Sequence, residues 1–155
     1  MGRMYTVQFE AISVSAQVDF FEIVTASTKP AMIHAIFLSQ SSEVGDAAEE
    51  FMRVQIIRDY TTSGSGGTTT TPVPLDPIGV GAGFACETNN TTLATGGTPL
   101  ILHSEAFNER TGWAYIPTPE MRLKVAGSQR IVVRLMAAPA DAVTMSGTMY
   151  VEEAP

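Results

Sequence analysis

Ala31-Met-Ile-His-Ala-Ile-Phe-Leu-Ser-Gln40 and Phe51-Met-Arg-Val-Gln-Ile-Ile-Arg-Asp-Tyr60 decide how this chain folds. The first stretch is nearly continuous in apolar residues, the pattern of a strand buried on both faces. The second alternates, with Met52, Val54 and Ile56 on one side and Arg53, Gln55 and Ile57 on the other. Outward from this pair the same period of two recurs. Tyr5, Val7 and Phe9 share a face over Tyr5–Val14, and a phase change near Ala11, which a bulge would produce, leaves Ile12 and Val14 as the next apolar pair. Asp19–Val24, Phe84–Glu87, Thr88–Leu93, Pro99–Phe107 and Trp113–Ile116 read as further short strands, and Ile131, Val133 and Leu135 share a face over Arg130–Ala137. Val143, Met145, Met149 and Val151 alternate with polar residues in the last strand. Turns fall at Thr25–Pro30, Ala94–Gly97 and Gly127–Gln129.

About eight antiparallel strands with turn signals every ten or so residues, and no amphipathic helix, predict an all-β, single-domain β-sandwich over residues 1–155, jelly-roll-like in topology. Residues 61–77 interrupt the pattern. Ser63-Gly64-Ser65-Gly66-Gly67 is flexible, Pro72, Pro74 and Pro77 favour extended backbone, and Val73 and Leu75 are placed to dock on something. This Gly/Thr/Pro-rich segment is expected to be an arm lying over a neighbouring surface. Ser41–Glu50 reads as an acidic loop or one helical turn, with Asp46 and Glu49 at capping-box spacing.

The chain has 155 residues and a formal net charge of −7, with 16% charged residues. That balance opposes binding to a phosphate backbone and to an anionic membrane, so neither nucleic acid nor membrane is an expected partner. So few charges also suggest that part of the exterior meets another chain. Met1–Phe9 lacks the apolar core of a signal peptide.

The chemistry-bearing residues are sparse. His34 and His103 are the two histidines and Cys86 the one cysteine, so no zinc-type ligand spacing exists. His103-Ser104-Glu105 is not a relay in a strand, because neighbours point to opposite faces. Glu43, Asp46, Glu49 and Glu50 gather carboxylates without the order of a calcium loop, so a solvated acidic loop, or one meeting a basic protein surface, is the expectation. Gly79–Gly83 and Ser63–Gly67 lack the spacing of nucleotide-binding loops. Asn89-Asn90-Thr91-Thr92 contains accidental glycosylation sequons. Trp113 and Tyr115 could stack a sugar, but packing at a sheet corner is the simpler reading. No cofactor, metal or catalytic residue is expected, and the chain is not expected to be an enzyme.

Lys29-Pro30-Ala-Met-Ile-His-Ala-Ile-Phe-Leu-Ser-Gln-Ser-Ser-Glu-Val-Gly-Asp46, Ser63-Gly-Ser-Gly-Gly-Thr68, Glu87-Thr-Asn-Asn-Thr91, Glu105-Ala-Phe-Asn108 and Met145-Ser-Gly-Thr148 resemble a family of small tailed-bacteriophage virion proteins of the capsid decoration, or cement, type. The resemblance covers nearly the whole chain and brings no catalytic residues with it. It implies a jelly-roll-like sandwich made in the bacterial host cytoplasm, assembled as a homotrimer on the major capsid protein of the head shell and bracing it. The expected contact residues are Glu43, Asp46, Glu49, Glu50, Ser63, Gly64, Ser65, Gly66, Gly67, Val73 and Leu75. The competing expectation is a carbohydrate- or receptor-binding module of a phage head, tail or fibre.

Overall fold

The two central stretches become strands in opposite sheets. In a computed structural model that describes residues 2–42 and 49–155, Ala31–Gln40 forms β3 and Phe51–Arg58 forms β4. Around them lie β1 (Arg3–Val14), β2 (Val18–Val24), β7 (Ala85–Asn90), β8 (Leu100–Asn108), β11 (Arg130–Leu135) and β12 (Val143–Glu153). Four shorter strands complete the sheets: β5 (Thr68–Thr69), β6 (Val73–Pro74), β9 (Trp113–Tyr115) and β10 (Leu123–Val125). The only helical piece among the described residues is a single 3-10 turn at Pro119–Met121.

Among the described residues every strand pairing is antiparallel, and twelve strands divide into two six-stranded sheets packed as a β-sandwich. The first sheet runs β10-β3-β12-β1-β6, with β9 also pairing β3. The second runs β5-β7-β2-β11-β4-β8. The long strands thus pair crosswise, β1-β12-β3 facing β2-β11-β4-β8, which is the jelly-roll-like order of two interlocked Greek keys. The strand count exceeds the expected eight because β5, β6 and β10 are too short to show any period in the sequence.

Alternation explains which side chains meet between the sheets. Tyr5, Val7 and Phe9 of β1, Val143, Met145, Met149 and Val151 of β12, Met52, Val54 and Ile56 of β4 and Ile131, Val133 and Leu135 of β11 are all buried in one core. Three phenylalanines lie at its centre. The Phe9 ring stacks on Phe20 at 5.9 Å between centroids and tilts against Phe21 at 5.3 Å. The expected break in β1 is present: its register against β12 shifts between Phe9 and Ile12, and Ala11 takes a positive φ of 52°.

β3 departs from the expectation of burial on both faces. Ala31, Ile33, Ile36 and Leu38 turn inward, whereas Phe37 is 37% exposed on the outer face. A shift in its pairing with β12 between Tyr150 and Val151 puts Ile33 and Ile36, three residues apart, on the same side. The run was apolar because the outer face also carries apolar residues, not because it is covered.

Gly147 sits opposite Phe9 in the β1–β12 ladder, and a Cβ there would lie 2.6 Å from the Phe9 ring. Gly147→Ala should therefore overpack the phenylalanine cluster and lower unfolding free energy by about 1–3 kcal/mol, read from chemical denaturation with an unchanged m-value.

Candidate functional site

The most heavily bonded polar assembly lies on the outer face of the second sheet, beneath the connection from β4 to β7. Its foundation is two acids on β2 and two arginines on β11, brought side by side by the β2–β11 ladder. Asp19 and Glu22 are 0% and 1% exposed. Arg134 grips Asp19 with both prongs, Nε to Oδ1 at 2.6 Å and Nη2 to Oδ2 at 3.0 Å. Its remaining donors reach the Ala94 carbonyl at 2.8 Å and the Tyr60 hydroxyl at 2.7 Å, and its guanidinium lies 4.7 Å from the Tyr60 ring centre. Arg130 donates to Glu22 at 2.7 Å, to the Tyr60 carbonyl at 2.9 Å and to Ser63 Oγ at 2.9 Å. Burial of four charges is tolerable because their hydrogen-bonding capacity is filled by one another and by loop backbone.

That network holds the Gly/Thr/Pro-rich segment down. The Gly64 amide donates to Glu22 Oε2 at 2.9 Å, and Asn90 Nδ2 donates to the same oxygen at 3.1 Å. A Cβ on Gly64 would stand 2.4 Å from the Thr92 carbonyl oxygen, so only glycine permits this approach. Farther on, Thr68–Thr69 pairs β7, Val73–Pro74 pairs β1 at Tyr5 and Thr6, and the Leu75 amide bonds to the Met4 carbonyl at 2.9 Å. Residues 61–77 are therefore a strap across one side of their own sandwich.

The expected contact residues are distributed as follows. Ser63, Ser65, Gly66, Gly67, Val73 and Leu75 are exposed on the strap, and Gly64 is buried within it. Glu43 and Asp46, and with them the capping-box reading, lie outside the described residues. Glu49 is exposed and pairs with Arg110 at 3.1 Å. Glu50 is half-buried, and its Oε2 accepts from the Ala140 amide at 2.8 Å. Missed in the sequence were Ile78 and Val80, which extend the exposed apolar row beyond Leu75; they are 89% and 52% exposed. The opposite charges embedded in Val18-Asp-Phe-Phe-Glu-Ile-Val24 and Arg130-Ile-Val-Val-Arg-Leu135 were the available signal for the buried network.

The remaining candidates resolve into packing. Trp113 is 5% exposed, covered by Phe107, His103 and Tyr115, and so offers no open stacking platform. Its indole N–H donates to Glu105 Oε2 at 2.8 Å, and His103 Nε2 lies 2.9 Å from the same oxygen. The indole bond, followed by the histidine bond, holds the Glu105 carboxyl below its usual range. Ser104 faces the other way and accepts from Gln55 at 2.9 Å. His34 pairs with Glu152 at 2.7 Å, and that bond leads the causes that lower the Glu152 carboxyl, joined by the Gly2 amide. Cys86 is buried, and loss of solvation pushes its thiol far above the ordinary range, so it is no nucleophile. Asn89 and Asn90 are 8% and 1% exposed, closing the sequons to modification. Among the described residues, no group of three His, Cys, Asp or Glu side chains is arranged to hold a metal ion.

No family model, no curated protein and no solved structure matches the chain.

Two outcomes are expected from the electrostatics. Arg134→Met leaves the buried Asp19 without its counter-charge, holding only the Ala94 amide, and should cost about 3–5 kcal/mol of stability, measured by urea denaturation. Glu105 and Glu152 titrate lower in the folded chain than in the unfolded one. Their contribution is therefore full above the unfolded carboxyl value of about 4.3 and disappears as pH falls through the lowered folded values. Glu152→Gln should make the loss of stability on acidification shallower, as read from melting temperature against pH.

Proposed function

We propose that this chain is a structural protein of a tailed-phage virion, a capsid decoration protein that assembles as a homotrimer on the major capsid protein and braces the head shell. The observation that carries the reading is the row of aliphatic side chains on the strap and just beyond it. Val73 and Leu75, each 51% exposed, lie on backbone bonded to β1, and Ile78 (89%) and Val80 (52%) follow through a turn whose Val80 carbonyl accepts from the Tyr5 hydroxyl. Contiguous exposed apolar residues on a rigid support mark a surface for another protein. Their loss from water on association supplies the favourable term, while the anchored backbone has little conformational freedom left to lose.

The sequence resemblance and the charge-poor composition point the same way. A trimer would present three copies of the row to a shell of repeated subunits, so that individually weak contacts act together. Glu49, exposed just before β4, would add a separate polar contact suited to a basic patch on the shell. A carbohydrate- or receptor-binding role at Trp113 and Tyr115 is the weaker alternative, because the indole is covered.

Sedimentation of the purified chain is expected to give a trimer, and mixing it with capsids lacking decoration should yield co-sedimenting particles of raised thermal stability. Leu75→Asp with Ile78→Asp should weaken trimerisation or shell binding at least about tenfold while leaving the melting temperature of the monomer within a few degrees. A monomer at every concentration that also fails to bind capsids would overturn the reading.

A further inference from the structure

The outer face of the first sheet carries an open depression of about 580 Å³, within the ~300–1,000 Å³ range of ligand pockets. Its lining includes Gln8, Glu10, Phe37, Ser39, Ser146 and Thr148. The register explains the assembly. Gln8 pairs with Thr148 and Thr148 with Phe37, so three neighbouring strands set these side chains abreast, and Ser146 with Ser39 forms the next row. Nothing in the sequence period distinguishes this face from an ordinary solvated one except Phe37.

We infer that this depression is a binding groove for a neutral oligosaccharide. Phe37 is 37% exposed and is fixed from one side by the edge of Tyr150, at 6.3 Å and 86° between ring planes. An immobilised aromatic ring of this kind can receive the C–H face of a pyranose with little loss of side-chain freedom. Around it, the side chains of Gln8, Glu10, Ser39 and Thr148 make no hydrogen bond or ion pair among the described residues. They offer amide and hydroxyl groups that both donate and accept, and a carboxylate that accepts, which is the complement of a row of sugar hydroxyls.

Charge selects the ligand class. Among the described residues, no Lys, Arg or His lines the groove and Glu10 is its one lining carboxylate, and the chain carries a formal net charge of −7. An anionic ligand such as a sulfated or uronic acid polymer would be repelled, whereas a neutral sugar chain can use Glu10 as an acceptor without meeting an unpaired charge. The groove is open and lies across strands β1, β12 and β3, so a segment of a longer polysaccharide fits it as well as a free oligosaccharide. The inference does not rest on the decoration role, because it uses none of the strap residues.

Titration of the full chain with malto-, cello- and chito-hexaose, and with a heparin hexasaccharide as the anionic comparator, tests it. Backbone amide shifts in NMR provide the readout. At least one neutral hexasaccharide is expected to bind with a dissociation constant of about 1 mM or tighter, shifting amides around Gln8, Phe37 and Thr148, and the heparin fragment should not. Phe37→Ala should weaken that binding about tenfold, the equivalent of one good aromatic contact, and Gln8→Ala should weaken it to a smaller degree, both with unchanged far-UV circular dichroism. Absence of shifts with all three neutral sugars, or stronger binding of the heparin fragment, would overturn the inference. So would dissociation of the assembled protein by Phe37→Ala, which would assign the groove to a contact between copies of the chain.

Discussion

The bidentate pair between Asp19 and Arg134, with its companion between Glu22 and Arg130, is the constraint on which the surface architecture depends. A β-sandwich core can assemble from alternation alone, because every inward residue gains by leaving water. A connection as rich in glycine and threonine as residues 61–71 has no comparable hydrophobic drive. What fixes it is a set of charge-assisted hydrogen bonds from β2 and β11 to Tyr60, Ser63, Gly64 and Ala94. Once Gly64 is pinned, the chain can proceed to pair first with β7 and then with β1, closing an edge of each sheet.

The two faces of the sandwich consequently differ in kind. On the second sheet, the outer surface is roofed by the strap and by the 90–97 turn, with Ile57, Ala94 and Val132 forming a small second core beneath. On the first sheet, Gln8, Phe37 and Thr148 remain uncovered by any part of the described chain. A roofed face invests its polar groups in the protein itself, while a bare one has them available for something else. The exposed strap residues Val73 and Leu75 sit at the β1 edge of that first sheet, and the depression on its outer face uses neither of them.

Much of this was legible in the sequence because burial on one side leaves a period of two. The phase change at Ala11, the alternation of Val143–Val151 and the inward set Met52, Val54 and Ile56 could all be read directly. The reading failed where a residue's type does not report its surroundings. Phe37 is apolar yet faces out, so the run over β3 has the pattern of a strand covered on both sides without being one. Ser63–Gly67 has the composition of a loose loop, yet Arg130 reaches Ser63 from 67 positions away. Such long-range pairing between charged residues leaves no periodic trace. The depression on the first sheet was equally hidden, since it arises from the register of three strands and not from any one of them.

The pairing of β1 with β12, from Arg3 opposite Glu153 to Val14 opposite Val143, has a consequence for biosynthesis. Tyr5, Val7 and Phe9 leave the ribosome long before their ladder partners Val151, Met149 and Gly147. The nascent chain must carry that apolar strand without its β12 partner until β12 is made, and such non-local contacts form slowly. Chaperone capture of β1 during translation, and inclusion-body formation at high expression rates, are the natural costs of setting side by side two strands so far apart in sequence.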